Sequence, residues 1–412
     1  MLRRQFLLSL GAAGLLLPVG RSAFAARSPA PANNRRLIIV LLRGAVDGLN
    51  VVVPYGDDDY YRARSSIAIA PPGRDDGGLD LDGFFALHPA LASLLPRWQA
   101  GQLAFVHAAG SPDATRSHFD AQDYLESGTP GRKATADGWM NRLLAQLPAA
   151  EGNRALNIGT VMPRILAGAQ PVAMLASGQA ATKAGPLDRP RIGQAFDQLY
   201  AGNDKYGDAY RASQQSRREI MAALSSPEIE NEMQKASNGA PLPPVFVDDA
   251  ARVARLMRGD PAVQLAFMAV GGWDTHANQG GARGQLANRL QALGEGLAGL
   301  ADGLGPLFDD TTIVVLSEFG RTVRQNGNGG TDHGHGNVIW LLGGQVAGRK
   351  VHGRWPGLAE PARYENRDLA ITTDFRSVLG SVLTQHLGLN NSALAKVFPD
   401  FTLCCPNERL IR

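Results

Sequence analysis

Six short, nearly uninterrupted apolar runs limit what this chain can fold into. They are Leu37–Leu42, Leu103–His107, Val172–Leu175, Leu265–Val270, Thr312–Leu316 and Val338–Leu342. Each is too short for a buried helix and lacks the alternation of a strand with one wet face. Such runs fit strands buried on both sides, which is the situation in a parallel sheet covered by helices. Helical patterns lie between them. Leu286, Leu290, Leu293, Leu297, Leu300 and Leu304 repeat at four-three spacing and make one apolar stripe. A shorter helix is expected over Pro89–Trp98, ending near Gly101, and a late one carries Phe375, Leu379, Val382, Leu383 and His386 up to Gly388. This order predicts an α/β fold: a doubly wound, mostly parallel sheet flanked by helices. Residues 190–260 are polar, helix-prone and without a strong strand, so they read as a helical insertion over the sheet edge. At 412 residues, 44% hydrophobic, the chain can bury a large core, expected here as one domain over 35–412.

The N-terminus reads as an address. Arg3-Arg4-Gln5-Phe6-Leu7 precedes an apolar stretch through Leu17, and Ala23-Phe24-Ala25 offers a small-x-small cleavage site. This is the layout of a twin-arginine signal peptide over 1–25, with Arg3 and Arg4 as its recognition pair and 26–34 as linker. An ordinary secretory signal with a chance arginine pair is the weaker reading, because Phe6 and Leu7 sit at the expected offsets. The apolar stretch is shorter than the roughly 20 residues that span a bilayer. The expected partner is therefore the twin-arginine export machinery, with no stable membrane anchor after cleavage and a periplasmic or secreted location. Net charge is +3, which gives no electrostatic case for nucleic acid. Cys404 and Cys405 are adjacent and form no metal motif; a vicinal disulfide, a pairing between chains and two free thiols all remain open.

In open α/β sheets, ligands bind beyond the carboxyl ends of the strands. The polar residues just after the apolar runs are thus the candidates. They are Arg43 to Gly48, Ser111 to His118, Gly271 to His276, Ser317 to Thr322, and the Asp332-His333-Gly334-His335 loop. The chain has eight histidines, and three of them fall beside an Asp in two glycine-flanked stretches. Carboxylates and imidazoles on short loops suit a hard or borderline divalent cation. Asp274 with His276, and Asp332 with His333 and His335, therefore read as ligands. Bland roles compete elsewhere. Asp47 before Gly48 fits a turn, Ser117 with Asp120 fits a helix capping box, and Glu318 fits a surface ion pair with Arg321. His88, His352 and His386 read as structural.

Together the leader, Leu-Arg-Gly-Ala-Val-Asp-Gly-Leu-Asn-Val-Val-Val-Pro, Arg-Ser-His-Phe-Asp-Ala-Gln-Asp, Gly-Gly-Trp-Asp-Thr-His, Ser-Glu-Phe-Gly-Arg-Thr and Asp-His-Gly-His-Gly resemble an exported bacterial family. That family is known as domain of unknown function fifteen-oh-one and is placed in the alkaline-phosphatase and sulfatase-like superfamily. The resemblance implies an alkaline-phosphatase-like sheet with one or two divalent metal ions (Zn, Mn, Mg or Ca) at its carboxyl rim. It implies Asp47 as a first-strand metal ligand and Ser117, with Thr115 as the alternative, as nucleophile. It also implies Asp274 and His276 as ligands of one metal, and His333 or His335 as the late ligand. Glu318, a further metal ligand in this scheme, stands where the superfamily usually shows an Asp-His pair, a departure that bears on the second metal. No Cys/Ser-x-Pro-x-Arg setting supports sulfatase chemistry.

The function these features lead to is an exported metal-dependent hydrolase of phosphate mono- or diesters. In it, Arg43 or Arg116 would clamp a small anionic ester. The rival is a non-catalytic exported binding protein with a degenerate or structural metal site. A flavin or nicotinamide enzyme is disfavoured, because no Gly-x-Gly-x-x-Gly comes after the first strand.

Overall fold

The structure, a computed structural model, describes residues 34–148, 154–159, 161–177, 198, 236–403 and 409–412. The leader with Arg3 and Arg4, most of the linker, the larger part of the 190–260 stretch and both cysteines lie outside the described residues.

In chain order the strands are β1 (Arg36–Leu42), β2 (Val52–Val53), β3 (Leu79–Asp80), β4 (Ala86–Leu87), β5 (Leu103–Gly110) and β6 (Ala155–Ile158). They continue with β7 (Ala173–Leu175), β8 (Leu265–Val270), β9 (Thr311–Ser317), β10 (Asn337–Gly343), β11 (Lys350–His352) and β12 (Thr373–Asp374). The main sheet runs β11-β5-β10-β9-β1-β8-β6-β7, with β12 added to β5, and β2-β4-β3 form a small antiparallel sheet beside it. At the centre, β1 pairs in parallel with β8 from Leu37↔Leu265 to Leu42↔Val270, and with β9 from Arg36↔Thr311 to Leu42↔Ser317. Among the described strands of the main sheet β10 alone runs against its neighbours, antiparallel to both β9 and β5. The six apolar runs are all strands, and the expected α/β, mostly parallel, helix-flanked fold is the one observed. The sheet also contains β6, whose Ala-Leu-Asn-Ile sequence is broken by a polar residue.

The strands face apolar layers on both sides. In β1, Ile38, Val40 and Leu42 point into one layer, and Leu37, Ile39 and Leu41 into the other. The first layer contains the leucine stripe of the Gln285–Leu304 helix, with Leu286, Leu290, Leu293 and Leu300 fully buried. Burying a leucine side chain contributes roughly 2 kcal/mol, so this stripe outweighs the helix's weak propensity at its glycines. Pro243–Gly259, the described helix of the 190–260 stretch, packs into this same layer through Phe246, Ala250, Val253 and Met257. The second layer holds the Trp139–Gln146, Phe375–Gln385 and Asn391–Val397 helices. Among the described residues no helix is long and apolar enough to cross a membrane.

The reversal of β10 decides where the loop before it lies. Parallel strands need a crossover to bring the chain back to the starting edge. An antiparallel strand starts where its predecessor ends. The 318–336 connection therefore stays at the rim formed by the carboxyl ends of β1, β8 and β9, and carries His333 with it.

Candidate metal centre

Three segments deliver imidazoles to that rim. His118 is the first residue of the His118–Ser127 helix, whose N-cap is Ser117; the Ser117 Oγ accepts from the Asp120 N–H at 3.5 Å. Asp274 and His276 come directly after β8. His333 sits in the 318–336 connection, which is held against the β8 loop by Asn326. That side chain donates to the His276 carbonyl at 2.8 Å and to Asp332 Oδ1 at 3.0 Å. Two glycines make this packing possible. A Cβ on Gly44, at φ +112°, would lie 2.9 Å from the Asp274 nitrogen, and one on Gly330 would lie 2.4 Å from the His276 carbonyl carbon.

The imidazoles present the same nitrogen. His118 Nε2 lies 2.9 Å from His333 Nε2, and His276 Nε2 lies 3.0 Å from it. Asp274 Oδ1 stands 3.6, 2.9 and 3.2 Å from the Nε2 atoms of His118, His276 and His333. The ligand atoms of His118, Asp274 and His333 all lie within 4.8 Å of one another. Every Nδ1 is engaged from behind: His118 with Glu318 Oε1 at 2.8 Å, His276 with Asp332 Oδ1 at 3.2 Å, and His333 with the Arg116 carbonyl at 2.9 Å. A carbonyl only accepts, so His333 Nδ1 carries the proton and its Nε2 has a free lone pair in the neutral ring. The carboxylates set the same tautomer for the other two rings whenever those are neutral. This is the arrangement by which outer groups orient metal-binding histidines.

Glu318 is fully buried. Its Oε1 accepts from the Gly44 N–H at 2.8 Å and from Gln122 at 3.0 Å in addition to His118. Behind Asp274 stands Arg321, also buried, which donates to Asp274 Oδ1 at 2.6 Å and to the carbonyls of Gly44, Ala45, Trp273 and Thr331. One guanidinium thus ties the ends of β1 and β8 to the 318–336 connection.

The electrostatics favour a cation. Burial pulls the His118 imidazole down, but its bonds to Asp274 and Glu318 outweigh that and raise it to about 9. Burial opposes ionisation of Glu318, yet His118 and Gln122 hold it down at about 2. Asp274 is held far below the carboxylate range by the three histidines and Arg321, which overcome its burial. His276 is raised, chiefly by its bond to Asp274. Without a metal, protons on the imidazoles supply the positive charge these carboxylates demand.

The donor set suits a divalent metal ion. A cation with bonds of about 2.0 Å to imidazole and carboxylate sets tetrahedral neighbours roughly 3.3 Å apart. The observed separations of 2.9–3.6 Å bracket that value. His118, Asp274 and His333 could hold such an ion, with His276 beside them.

The remaining expected residues lie elsewhere or play other parts. Asp47 is not at the cluster. It is fully buried in an ion pair, 2.5 and 3.0 Å from the Arg64 Nη atoms, and accepts from Gln279 Nε2 at 2.7 Å. Glu318 bonds His118 from behind and leaves Arg321 to Asp274. His335 stacks on Tyr364, ring centroids 4.3 Å apart, and burial pushes it down to about 4. In an extended segment residues two apart share a face, but the chain bends at His335 and these two rings meet different partners. Arg43 is paired with Glu126 at 2.5 Å, and Arg116 with both Glu365 and Asp368 at 2.6 Å, so neither clamp is open. Ser117 is exposed at its cap, and the Thr115 hydroxyl accepts from the Ser117 N–H at 3.2 Å. His118 is the residue that sequence reading passed over as a ligand. Its signal was a histidine at the start of a Ser-capped helix on the predicted rim.

None of the curated proteins compared matches the chain. Similar solved structures include an alkaline phosphatase superfamily protein from Vibrio parahaemolyticus (11% identity, 79% of this chain and 64% of that chain, TM-score 0.36). Others are the C-terminal periplasmic domain of EcEptC from Escherichia coli (11%, 91% and 89%, 0.41) and the PsFucS1 sulfatase from Pseudoalteromonas sp. (13%, 85% and 67%, 0.38). The chain thus spans just under two thirds of the Vibrio protein's length. At such scores the architecture stands on the sheet order and helix layers described above. A family profile described as protein of unknown function (DUF1501) matches residues 34–397, and with nearly the whole described chain inside that match, the protein belongs to this family.

Proposed function

We propose that this protein is an exported, metal-dependent hydrolase of phosphate mono- or diesters. The observation that carries the reading is the convergence of three imidazole Nε2 atoms and one carboxylate oxygen, with every Nδ1 engaged from behind. A divalent cation bound there supplies Lewis acidity: it polarises an ester oxygen and lowers the pKa of a hydroxyl or water nearby. His118, Asp274 and His333 would hold the ion, with His276 beside them. Glu318, Asp332 and the Arg116 carbonyl orient the rings. Arg321 fixes Asp274. Ser117, one residue before His118, is the proposed nucleophile, placed at a helix start that favours an anion in front of it. Export through the twin-arginine machinery, with Arg3 and Arg4 as its mark, belongs to the same proposal. It would deliver the chain folded and metal-loaded to the periplasm or the outside.

Elemental analysis of purified protein, combined with turnover of 4-nitrophenyl phosphate and bis(4-nitrophenyl) phosphate, tests this. About one metal per chain is expected, with hydrolysis lost in Asp274→Asn and in Ser117→Ala, and metal retained in the latter. Full hydrolysis by metal-free protein would sink the reading. A second reading, a binding protein with a structural metal, is favoured by one observation: Arg43 and Arg116 are already neutralised by carboxylates. Tight metal with no turnover of either ester would establish it.

A further inference from the structure

Beside the histidine cluster lies a cleft of about 400 Å³ whose walls include Arg324, Arg363, Arg367, Asn366, Asp332 and Glu360. Its arginines differ from the others near the rim. Arg43, Arg64, Arg116 and Arg321 are each matched by a close carboxylate. Arg363 instead spends its Nε on the Leu358 carbonyl at 2.7 Å, which fixes the guanidinium plane and leaves both Nη groups without an acceptor among the described residues. Arg367 reaches only Asp368 Oδ2, at 3.3 Å, an oxygen that Arg116 already holds at 2.6 Å. The Arg324 guanidinium has no hydrogen-bond partner among the described residues. Of the two acids in the wall, Asp332 is committed to His276 and Asn326, and Glu360 is exposed on a short turn. Three forked donors among the residues lining one polar cleft suit an oxyanion, which can accept two parallel bonds from a guanidinium.

We propose that this cleft is an anion-binding subsite for a second oxyanion group (phosphate, sulfate or carboxylate) of an ester whose reacting group lies at the histidine cluster. Asp332 joins the two places, since it lines the cleft and bonds His276. The substrate class becomes esters with two anionic groups. Binding of the reacting group rests on the hydrolase reading above; binding of the oxyanion does not.

Equilibrium dialysis of inorganic phosphate against metal-free full-length chain at low ionic strength tests the subsite, with sulfate and acetate dialysed in parallel to rank the oxyanions. One phosphate per chain is expected. Its affinity should fall about tenfold or more in Arg363→Gln/Arg367→Gln and stay unchanged in Arg349→Gln, an exposed arginine outside the cleft. Absence of binding, or equal affinity in the double variant, overturns the subsite. If the glutamine pair fails to fold, the Arg363→Lys/Arg367→Lys pair carries the test, because it keeps the charge but loses the fork; unchanged affinity there also overturns it. Metal uptake measured on the same preparations after dialysis against zinc or manganese separates the two readings. Phosphate binding that depends on the arginines in a chain that takes up no metal would leave the subsite standing and remove the hydrolase.

Discussion

Asp47 and Asp274 leave the carboxyl ends of two neighbouring strands, β1 and β8, and differ in what answers their charge. Asp47 meets a guanidinium that belongs to the fold: Arg64, fully buried, which also bonds Asn50 and the carbonyls of Thr322 and Val323. Asp274 meets three imidazoles that can give up their protons, with Arg321 behind. The first region is electrostatically complete. The second is balanced in part by Arg321 and in part by imidazoles, which can exchange a proton for a metal. A rim carboxylate is therefore a ligand candidate when imidazoles converge on it, and not when a guanidinium alone answers its charge.

Substitutions at the two sites should separate stability from metal binding. The largest effect is expected for Asp47→Ala, which strands the Arg64 charge in the interior. Breaking a buried pair from one side costs about 3–5 kcal/mol, so denaturant unfolding should show that loss while folded molecules keep their metal. Loss of metal with little loss of stability would reverse the assignment of the two regions. Next, His118→Ala should weaken metal binding by roughly 100-fold or more by removing a direct donor, as read by chelator competition. An unchanged constant would expel His118 from the site. A smaller effect is expected for Glu318→Gln, about 10–100-fold in metal affinity, since it alters only the group behind His118.

The pH dependence sharpens the contrast further. His118 holds its proton up to about 9 in the metal-free fold, so metal must displace that proton at neutral pH. Affinity should rise as pH climbs toward 9 and level off above it; a flat profile from pH 6 to 9 would contradict this. The metal-free chain should behave oppositely in stability. Its His118 pKa lies above the unfolded value of about 6.5, so this stabilising contribution is complete below that pH and fades as pH rises through about 9. Unfolding midpoints of metal-free wild type and His118→Ala should converge at high pH. The smallest change is expected for Ser117→Ala, a cap loss of about 0.5–1 kcal/mol at an exposed position.

Much of the sheet could be read from the chain because strands buried on both faces leave continuous apolar runs. Strand direction could not, since an apolar run has no polarity, and β10 reads the same either way round. β6 escaped notice because Asn157 interrupts it, a buried side chain that donates to the Val161 carbonyl at 3.4 Å. At the site, Asp274, His276 and His333 stood out through their glycine-flanked Asp-His context. Asp47 read as a turn residue by itself and as a ligand only through the family resemblance; its answering charge, Arg64, sits in an unpatterned stretch with nothing to advertise the pairing. His118 was obscured by the Ser117 cap beside it, a complete explanation of the local sequence that left the histidine unexamined.

The candidate ligands at 118, 274 and 333 come from distant parts of the chain. An ion seated among them would act as a clip that closes two long loops at once. The entropy such a clip removes from the open chain grows only slowly with loop length, but it is gained for both loops together. The loaded protein should then open rarely, and its lifetime in the presence of proteases would be set by how slowly the clip lets go.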